Sequence, residues 1–435
     1  MHHKKHLSFS ALRKSLSEHF NRVDDHRQRG KIDHMLHDCL MSGFAMMFFQ
    51  DPSILAFQQR MQDSMHRNNL GTIFSVGTIP KDTQMRTVLD PIEPESIAPA
   101  FCDFLLKLQR GKQLASYQFI DGMYLISMDG SEYFSSEKIH CPSCLVTESK
   151  KSRRYHHQIL QPVIVHPDKR QVLPLAPEQV SNRDGSKKQD CEINAAKRCI
   201  KKIRKTHPKL KIIITADSLY SKQPFIDVLK EAHMSFILTA KPADHKVLFE
   251  WVSELRQLGE GGQLELIDKK GRRHCYQWIN RVPLNGTKDA DEVNFFQYQL
   301  VSKENKVTYK NSWVTDLVVD ETNVALLVKG GRARWKVENE TFNTLKNQGY
   351  HLEHNFGHGQ NNLSFVFFML NLLAFYVHQI LELTDRLYQA VRYKKFTSRK
   401  EYFNQLRCTI RIMLYRDWEH LLGHILDPPE VMAPG

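Results

Sequence analysis

Three acidic residues have the surroundings that metal-assisted chemistry on a phosphodiester requires. Asp129 closes the apolar run Tyr124-Leu125-Ile126-Ser127-Met128 and precedes Gly130, and Asp217 closes Ile212-Ile213-Ile214-Thr215-Ala216 and precedes Ser218. Glu338 stands in Arg334-Trp335-Lys336-Val337-Glu338-Asn339, a stretch of helical character. A carboxylate at the end of an apolar strand is held still by the sheet, and the strand ends of α/β sheets are where ligands bind. Hard divalent cations such as Mg²⁺ take oxygen ligands and keep several waters, so two or three carboxylates are enough to hold them. Two such ions about 3.5–4 Å apart activate an attacking oxygen and stabilise the leaving oxygen of a phosphodiester in line. Taken singly, an Asp after a strand serves equally well as a turn former or helix cap; the chemistry is carried by the set of three.

Glu340 competes with Glu338 for the third place. Two residues apart on an α-helix means about 200° of rotation, so only one of the pair can face the strands. Trp335 and Phe342 flank Glu338 at helical spacing and are expected to bury its side, which favours Glu338. Arg334 lies four residues before Glu338 and shares its face, as a DNA-contacting cation or as a surface ion pair.

A second group is Cys141-Pro142-Ser143-Cys144, whose two-residue gap is that of a zinc knuckle, with His156 and His157 within loop reach. The Pro-Ser pair favours a tight turn that brings the two sulfurs together. The other reading is a pair of free thiols in a hairpin.

These residues need a scaffold. Apolar, β-branched and aromatic runs predict strands over 117–128, 158–165, 211–216 and 235–239, with helices over 191–206 and 223–233 between them, the alternation of an α/β core. The stretch 251–328 changes to alternating segments (263–267, 274–279, 294–302 and 325–328) separated by Gly, Asn and Asp, a β-rich insertion. Helical periodicity marks everything up to residue 113 and returns over 334–346, 363–393 and 402–422.

The chain has 435 residues, with 61 Lys and Arg against 48 Asp and Glu, a net charge of +13 that suits a polyanionic partner. Its basic positions include Arg22, Arg27, Arg29, Lys31, Arg67, Lys81 and Arg86. A helix carrying Lys197, Arg198, Lys201, Lys202, Arg204 and Lys205 follows Lys187 and Lys188. Each of these either tracks phosphates or faces solvent. Trp251, Trp278 and Trp313 are open to two readings, stacking on an extruded base or core packing. The 8 cysteines lack the dense spacing of a disulfide framework, which points to a reducing compartment. The polar, basic N-terminus has no signal-peptide pattern. The apolar run over 365–377 contains Asn371 and falls short of the roughly 20 residues of a membrane span, so a buried helix is expected.

Over residues 115–385 the sequence resembles the DDE transposases of bacterial insertion sequences, in the branch with a large β-rich insertion between the second Asp and the Glu. The resemblance rests on Thr215-Ala216-Asp217-Ser218-Leu219-Tyr220, on Trp313-Val314-Thr315, on Arg334-Trp335-Lys336-Val337-Glu338 followed by Phe342 and Lys346, and on the string from Gly349 to Gly357. The family signature Tyr-x2-Arg-x3-Glu-x6-Lys is matched at Arg334 and Glu338. Its Tyr position falls on Gly331 and its Lys position on Leu345, one before Lys346.

The resemblance implies an α/β, ribonuclease H-like core. On that reading 1–113 is a helical, DNA-binding region, 114–250 and 329–393 are the two parts of the core, 251–328 is the insertion and 394–435 a helical tail. Asp129, Asp217 and Glu338 are then the catalytic ligands of two Mg²⁺ or Mn²⁺ ions. Arg334, Lys346, Lys197, Arg198 and Lys201 contact DNA, and Cys141, Cys144, His156 and His157 are left as a candidate structural zinc site. The expected partners are the terminal inverted repeats of the element, target DNA, and a second copy of the chain in the synaptic complex. The expected place is the bacterial cytoplasm, at the nucleoid. The alternative is a nuclease-only or catalytically inactive DNA-binding protein on the same fold.

Overall fold

The computed structural model describes residues 5–428 apart from 29, 31, 62, 63, 150, 151 and 182–188, and no side chain over 61–68. Arg29, Lys31, Lys187, Lys188 and the side chain of Arg67 lie outside the described residues.

The described strands are β1 (Tyr124–Ser136), β2 (Leu145–Glu148), β3 (Arg153–Val165), β4 (Leu173–Pro174), β5 (Glu178–Val180), β6 (Ile212–Ala216), β7 (Ser235–Thr239), β8 (Gly262–Ile267), β9 (Arg273–Pro283), β10 (Glu292–Val301) and β11 (Val307–Thr315). They form one mixed sheet whose main path runs β2-β3-β1-β6-β7-β11-β10-β9-β8. Its centre is parallel: β1 pairs with β6 and β6 with β7, the crossovers being helices Glu192–Thr206 and Gln223–Glu231. All five residues of β6 are buried, which is why a parallel strand covered on both faces reads as an unbroken apolar run. The molecule is thus of the mixed α/β class that the strand–helix alternation predicts.

The strands of 251–328 extend this same sheet. β11 runs antiparallel to β7, with Trp313 opposite Thr239, and β10, β9 and β8 follow by antiparallel pairing. Trp313 is fully buried and stacked on Phe296 with ring centroids 5.3 Å apart. A Cβ at Gly331 would come within 2.5 Å of its indole nitrogen. The family's Tyr therefore has no room at position 331, because the Trp313 indole fills the space.

Several local expectations are corrected. Residues 325–328 are helical, within Val324–Arg332, because a short aliphatic run satisfies a buried helix as well as a strand. Residues 114–117 form a 3₁₀ turn, and β1 starts only at Tyr124, so Asp129 lies inside a long strand instead of at its end. The stretch 402–422 is divided between helices Arg399–Thr409 and Trp418–Leu426, with Asp417 capping the second through the backbone N–H of His420. Trp335 is 53 % exposed and covers nothing beside Glu338, whereas Phe342 is buried as expected.

The helical N-terminal region, the sheet and the tail share one hydrophobic core. Its spine is helix Leu363–Thr384, long and apolar enough to cross a membrane by composition but 94 % buried over its most apolar window. Gly43, on helix Leu36–Phe48, lets Leu370 approach to 2.9 Å of where a Cβ would stand. Phe9, Phe48 and Trp418 meet with centroids 4.9–5.2 Å apart, and Phe48 packs on His378 of the spine at 4.4 Å, so helices Phe9–Phe20 and Trp418–Leu426 are joined to it. Glu382 near the end of the spine pairs with Arg399 at 2.7 Å, both nearly inaccessible to water.

Candidate active site

The sheet register brings the first two carboxylates side by side. Ser127 on β1 pairs with Thr215 on β6 in parallel, and each Asp lies two residues further along the chain. β6 ends there, while β1 runs on against β3, with Asp129 opposite Gln161. Asp129 Oδ1 accepts from the backbone N–H of Gly130 at 3.0 Å, and Asp217 Oδ1 accepts from that of Leu219 at 2.9 Å. In each carboxylate one oxygen is engaged by a nearby backbone N–H.

Glu338 comes from the segment that follows helix Val324–Arg332. It lies on a π-helical turn, Val337–Phe342, a rare geometry found mostly as single turns at functional sites. Ser127 Oγ donates to the carbonyl oxygen of Arg334 at 2.9 Å, joining this helix to β1 two residues before Asp129. The Arg334 guanidinium donates to Glu338 Oε1 at 2.7 Å and stands 3.9 Å from Asp129. Its side chain is only 14 % exposed, whereas that of Glu338 is 44 % exposed. Glu340 points elsewhere and pairs with Arg170 at 3.5 Å. Of the two glutamates, Glu338 is the one beside Asp129.

A fourth carboxylate, Glu192, has the basic helix behind it and no linear signal that separates it from a first-turn acid favouring the helix dipole. It accepts from Gln158 Nε2 at 2.8 Å and from the Tyr220 hydroxyl. A Cβ on Gly130 would fall 2.1 Å from Glu192 Oε2, so glycine after Asp129 is what admits this carboxylate. Tyr220 of the string Thr215–Tyr220 was the available clue, since its hydroxyl needs a partner once the ring is buried.

Burial, above all, pushes the Asp129 carboxyl up to about 7; Arg334 opposes this, and the negative charges of Glu338, Glu192 and Asp217 add to it. Burial also raises Glu192, with Asp217 adding to the rise and Tyr220 and Gln158 working against it. Glu338, Glu192 and Asp217 all lie near enough to act on the charge of Asp129, and cations would relieve this mutual repulsion.

The other predicted positions are more dispersed. Arg198 is committed to Glu178 at 2.8 Å and Asp190 at 2.7 Å, holding its helix against β5. Arg204 is similarly engaged, donating to the carbonyls of Ala232, His233 and Leu210. Lys201 is exposed and Lys197 half-buried on the same helix. Lys346 pairs with Glu353 at 2.9 Å. Trp251 is exposed on helix Lys246–Gln257, and Trp278 is half-buried against Gly262.

Cys141, Cys144 and His157 come together in a buried cluster, and the fourth member is His358, absent from the sequence reading. His156 lies 3.7 Å from Glu132 instead, because successive side chains of β3 point to opposite faces. Among the described residues this is the metal-type group whose ligand atoms lie within 4.8 Å of one another; the carboxylates, with Arg334 between two of them, are not drawn in so closely.

Residues 184–376 match the family model described as the transposase DDE domain. The match includes Asp217 and Glu338 and begins beyond Asp129. No curated protein matches the chain.

Proposed function

We propose, from the premise that this chain is a DDE transposase, that it binds the terminal inverted repeats of its insertion sequence, cleaves the DNA at those ends and joins the freed 3′-hydroxyls to target DNA. Asp129, Asp217 and Glu338 are the catalytic residues of this reading. The observation that carries it is the convergence of three elements: adjacent parallel strands place the aspartates abreast, and Arg334 spans from Asp129 to Glu338.

The donor set fits hard cations, since every ligand atom is a carboxylate oxygen and the Asp129 and Glu338 side chains are partly open to water. Asp129, Asp217 and Glu338 would hold two Mg²⁺ or Mn²⁺ ions, which supply activation of the attacking oxygen and stabilisation of the leaving one. The chain's own residues do the positioning. The N–H groups of Gly130 and Leu219 fix the two aspartates, and the Ser127 hydroxyl fixes the helix that carries Glu338. Arg334 balances the carboxylates and offers a rigid fork to a DNA phosphate. Lys197, Lys201 and Lys346 add backbone contacts, and two copies of the chain hold the paired ends. The site of action is the DNA of the bacterial cytoplasm.

The test is an end-joining assay with a labelled inverted-repeat end and a plasmid target. Joined product with Mg²⁺ or Mn²⁺, and none with chelator, is the expected result. Hydrolysis without joining would reduce the protein to a nuclease, and binding alone would make it inactive.

The raised Asp129 carboxyl gives a pH prediction. A carboxyl held above its ordinary range keeps its proton near neutrality, so ionising it costs the metal-free fold stability as pH rises toward 7. Below that pH a cation must displace this proton. Mg²⁺ affinity should therefore rise about tenfold per pH unit up to about 7 and then level off. Calorimetric titration from pH 5.5 to 8.5 checks this, and in Asp129→Asn the rise should vanish. A flat profile in the wild type would remove Asp129 from the ligand set.

A further inference from the structure

We infer that Cys141, Cys144, His157 and His358 bind a structural zinc ion that clips the strands flanking Asp129 to the segment following Glu338. The two sulfurs are 3.8 Å apart, and His157 Nε2 lies 3.6 Å from Cys141 Sγ and 3.5 Å from Cys144 Sγ. His358 Nε2 lies 3.4 Å from Cys144 Sγ and 3.1 Å from His157 Nε2. With Zn–S near 2.3 Å and Zn–N near 2.0–2.1 Å, the edges of a tetrahedral Cys₂His₂ site measure about 3.3–3.8 Å, and these separations lie close to that range. A disulfide would need the sulfurs at about 2.05 Å, so the pair is not one.

The surroundings suit the same ion. All four side chains are buried, and two thiolates with two imidazoles are a donor set that suits zinc. The backbone N–H of Cys144 donates to the Cys141 carbonyl at 3.2 Å, and that of Cys141 to Cys144 Sγ at 3.4 Å, the tight turn that holds two thiolates on one side. The His358 Nδ1–H donates to the Gly359 carbonyl at 2.9 Å, which fixes the tautomer and leaves Nε2 with a free lone pair toward the cluster. Tyr133 stacks on the His157 ring and Phe134 packs on His358, so the ligand rings are locked from β1 itself.

Three of the ligands lie within 16 positions of one another, and the fourth is 201 positions from His157. The cysteines are in the turn between β1 and β2, His157 is on β3, and His358 precedes the buried spine helix Leu363–Thr384. The ion would therefore cross-link the β1–β3 unit that carries Asp129 to the connection leading away from the Glu338 helix. It is distinct from the catalytic cations in both donor chemistry and position, and a hard ion such as Mg²⁺ cannot replace it.

The test uses the full chain, purified without chelator. Elemental analysis should find one zinc per chain, and cobalt exchange should give the sulfur-to-cobalt charge-transfer band and tetrahedral ligand-field spectrum of a Cys₂His₂ site. His358→Ala and Cys144→Ser should lose the metal, while His156→Ala keeps it. Stripping the zinc should lower the melting temperature, with recovery on adding Zn²⁺ but not Mg²⁺. Protein from zinc-supplemented cells with far less than one zinc per chain and no charge-transfer band on cobalt addition would overturn the inference, as would full zinc retention in His358→Ala. None of these readouts depends on DNA cleavage, so failure of the transposase reading would leave them unchanged.

Discussion

The Asp217→Asn protein should bind a labelled inverted-repeat end as tightly as the wild type and cleave it about 10³-fold or more slowly. The amide keeps the size of the side chain and its turn with Leu219, so neither the fold nor the surface facing DNA changes. On the proposed assignment what is lost is a negatively charged oxygen ligand, and metal assistance is worth several kcal/mol of transition-state stabilisation, with each 1.36 kcal/mol about tenfold in rate. On the same assignment Asp129→Asn and Glu338→Gln should behave alike, because side chains that act as one unit fail together. Glu340→Gln is the control. Its carboxylate faces Arg170, away from Asp129, so its cleavage rate should stay within a few-fold of wild type. Single-turnover cleavage beside a gel-shift titration separates chemistry from binding. Normal cleavage by Glu338→Gln, or an equal loss in Glu340→Gln, would defeat the assignment.

The second large effect is on stability. Arg399→Ala should destabilise the chain by about 3–5 kcal/mol, because it leaves the Glu382 carboxylate buried without its counter-charge. Glu382 lies in the last turns of the spine helix, and Arg399 opens helix Arg399–Thr409, so the pair fastens the tail to the centre of the molecule. The double variant Arg399→Met, Glu382→Leu should recover most of the loss, since apolar groups of similar volume carry no desolvation cost. Chemical denaturation midpoints of the three variants decide this. A loss under about 1 kcal/mol in Arg399→Ala would mean that water reaches the pair.

What could be read from the chain beforehand followed local pattern. β7 matches its expected span over 235–239, and the segments expected at 263–267, 274–279 and 294–302 lie in β8, β9 and β10 to within one residue for β8, four for β9 and two for β10. Periodicity and turn residues are properties of neighbours, so they survive without knowledge of the fold. The strand β11 was not among the expected segments, because Lys310, Asn311 and Ser312 break its apolar run. Its pairing with β7, which fuses the 251–328 segment to the core sheet, could not be read at all: strand pairing is a tertiary choice, and many registers satisfy one pattern.

The site divides in the same way. Asp129 and Asp217 were marked by their strands, but their alignment across the sheet needed the register of β1 on β6. Glu338 was preferred to Glu340 for a reason that failed, since Trp335 is exposed; the ion pair with Arg334 is what places it beside Asp129. Glu192 and His358 were missed because each is joined to its partners only by folding. His358 stands 201 positions from His157, and a lone histidine in a loop carries no signal of its own.

The measurement that reaches the central claim most directly is anomalous diffraction from crystals of the chain bound to its inverted-repeat end and soaked in Mn²⁺. The account predicts anomalous peaks within coordination distance of carboxylate oxygens of Asp129, Asp217 and Glu338, and their loss in Asp217→Asn. Peaks elsewhere with that site empty, or Mn²⁺ held there equally well by Asp217→Asn, would contradict it.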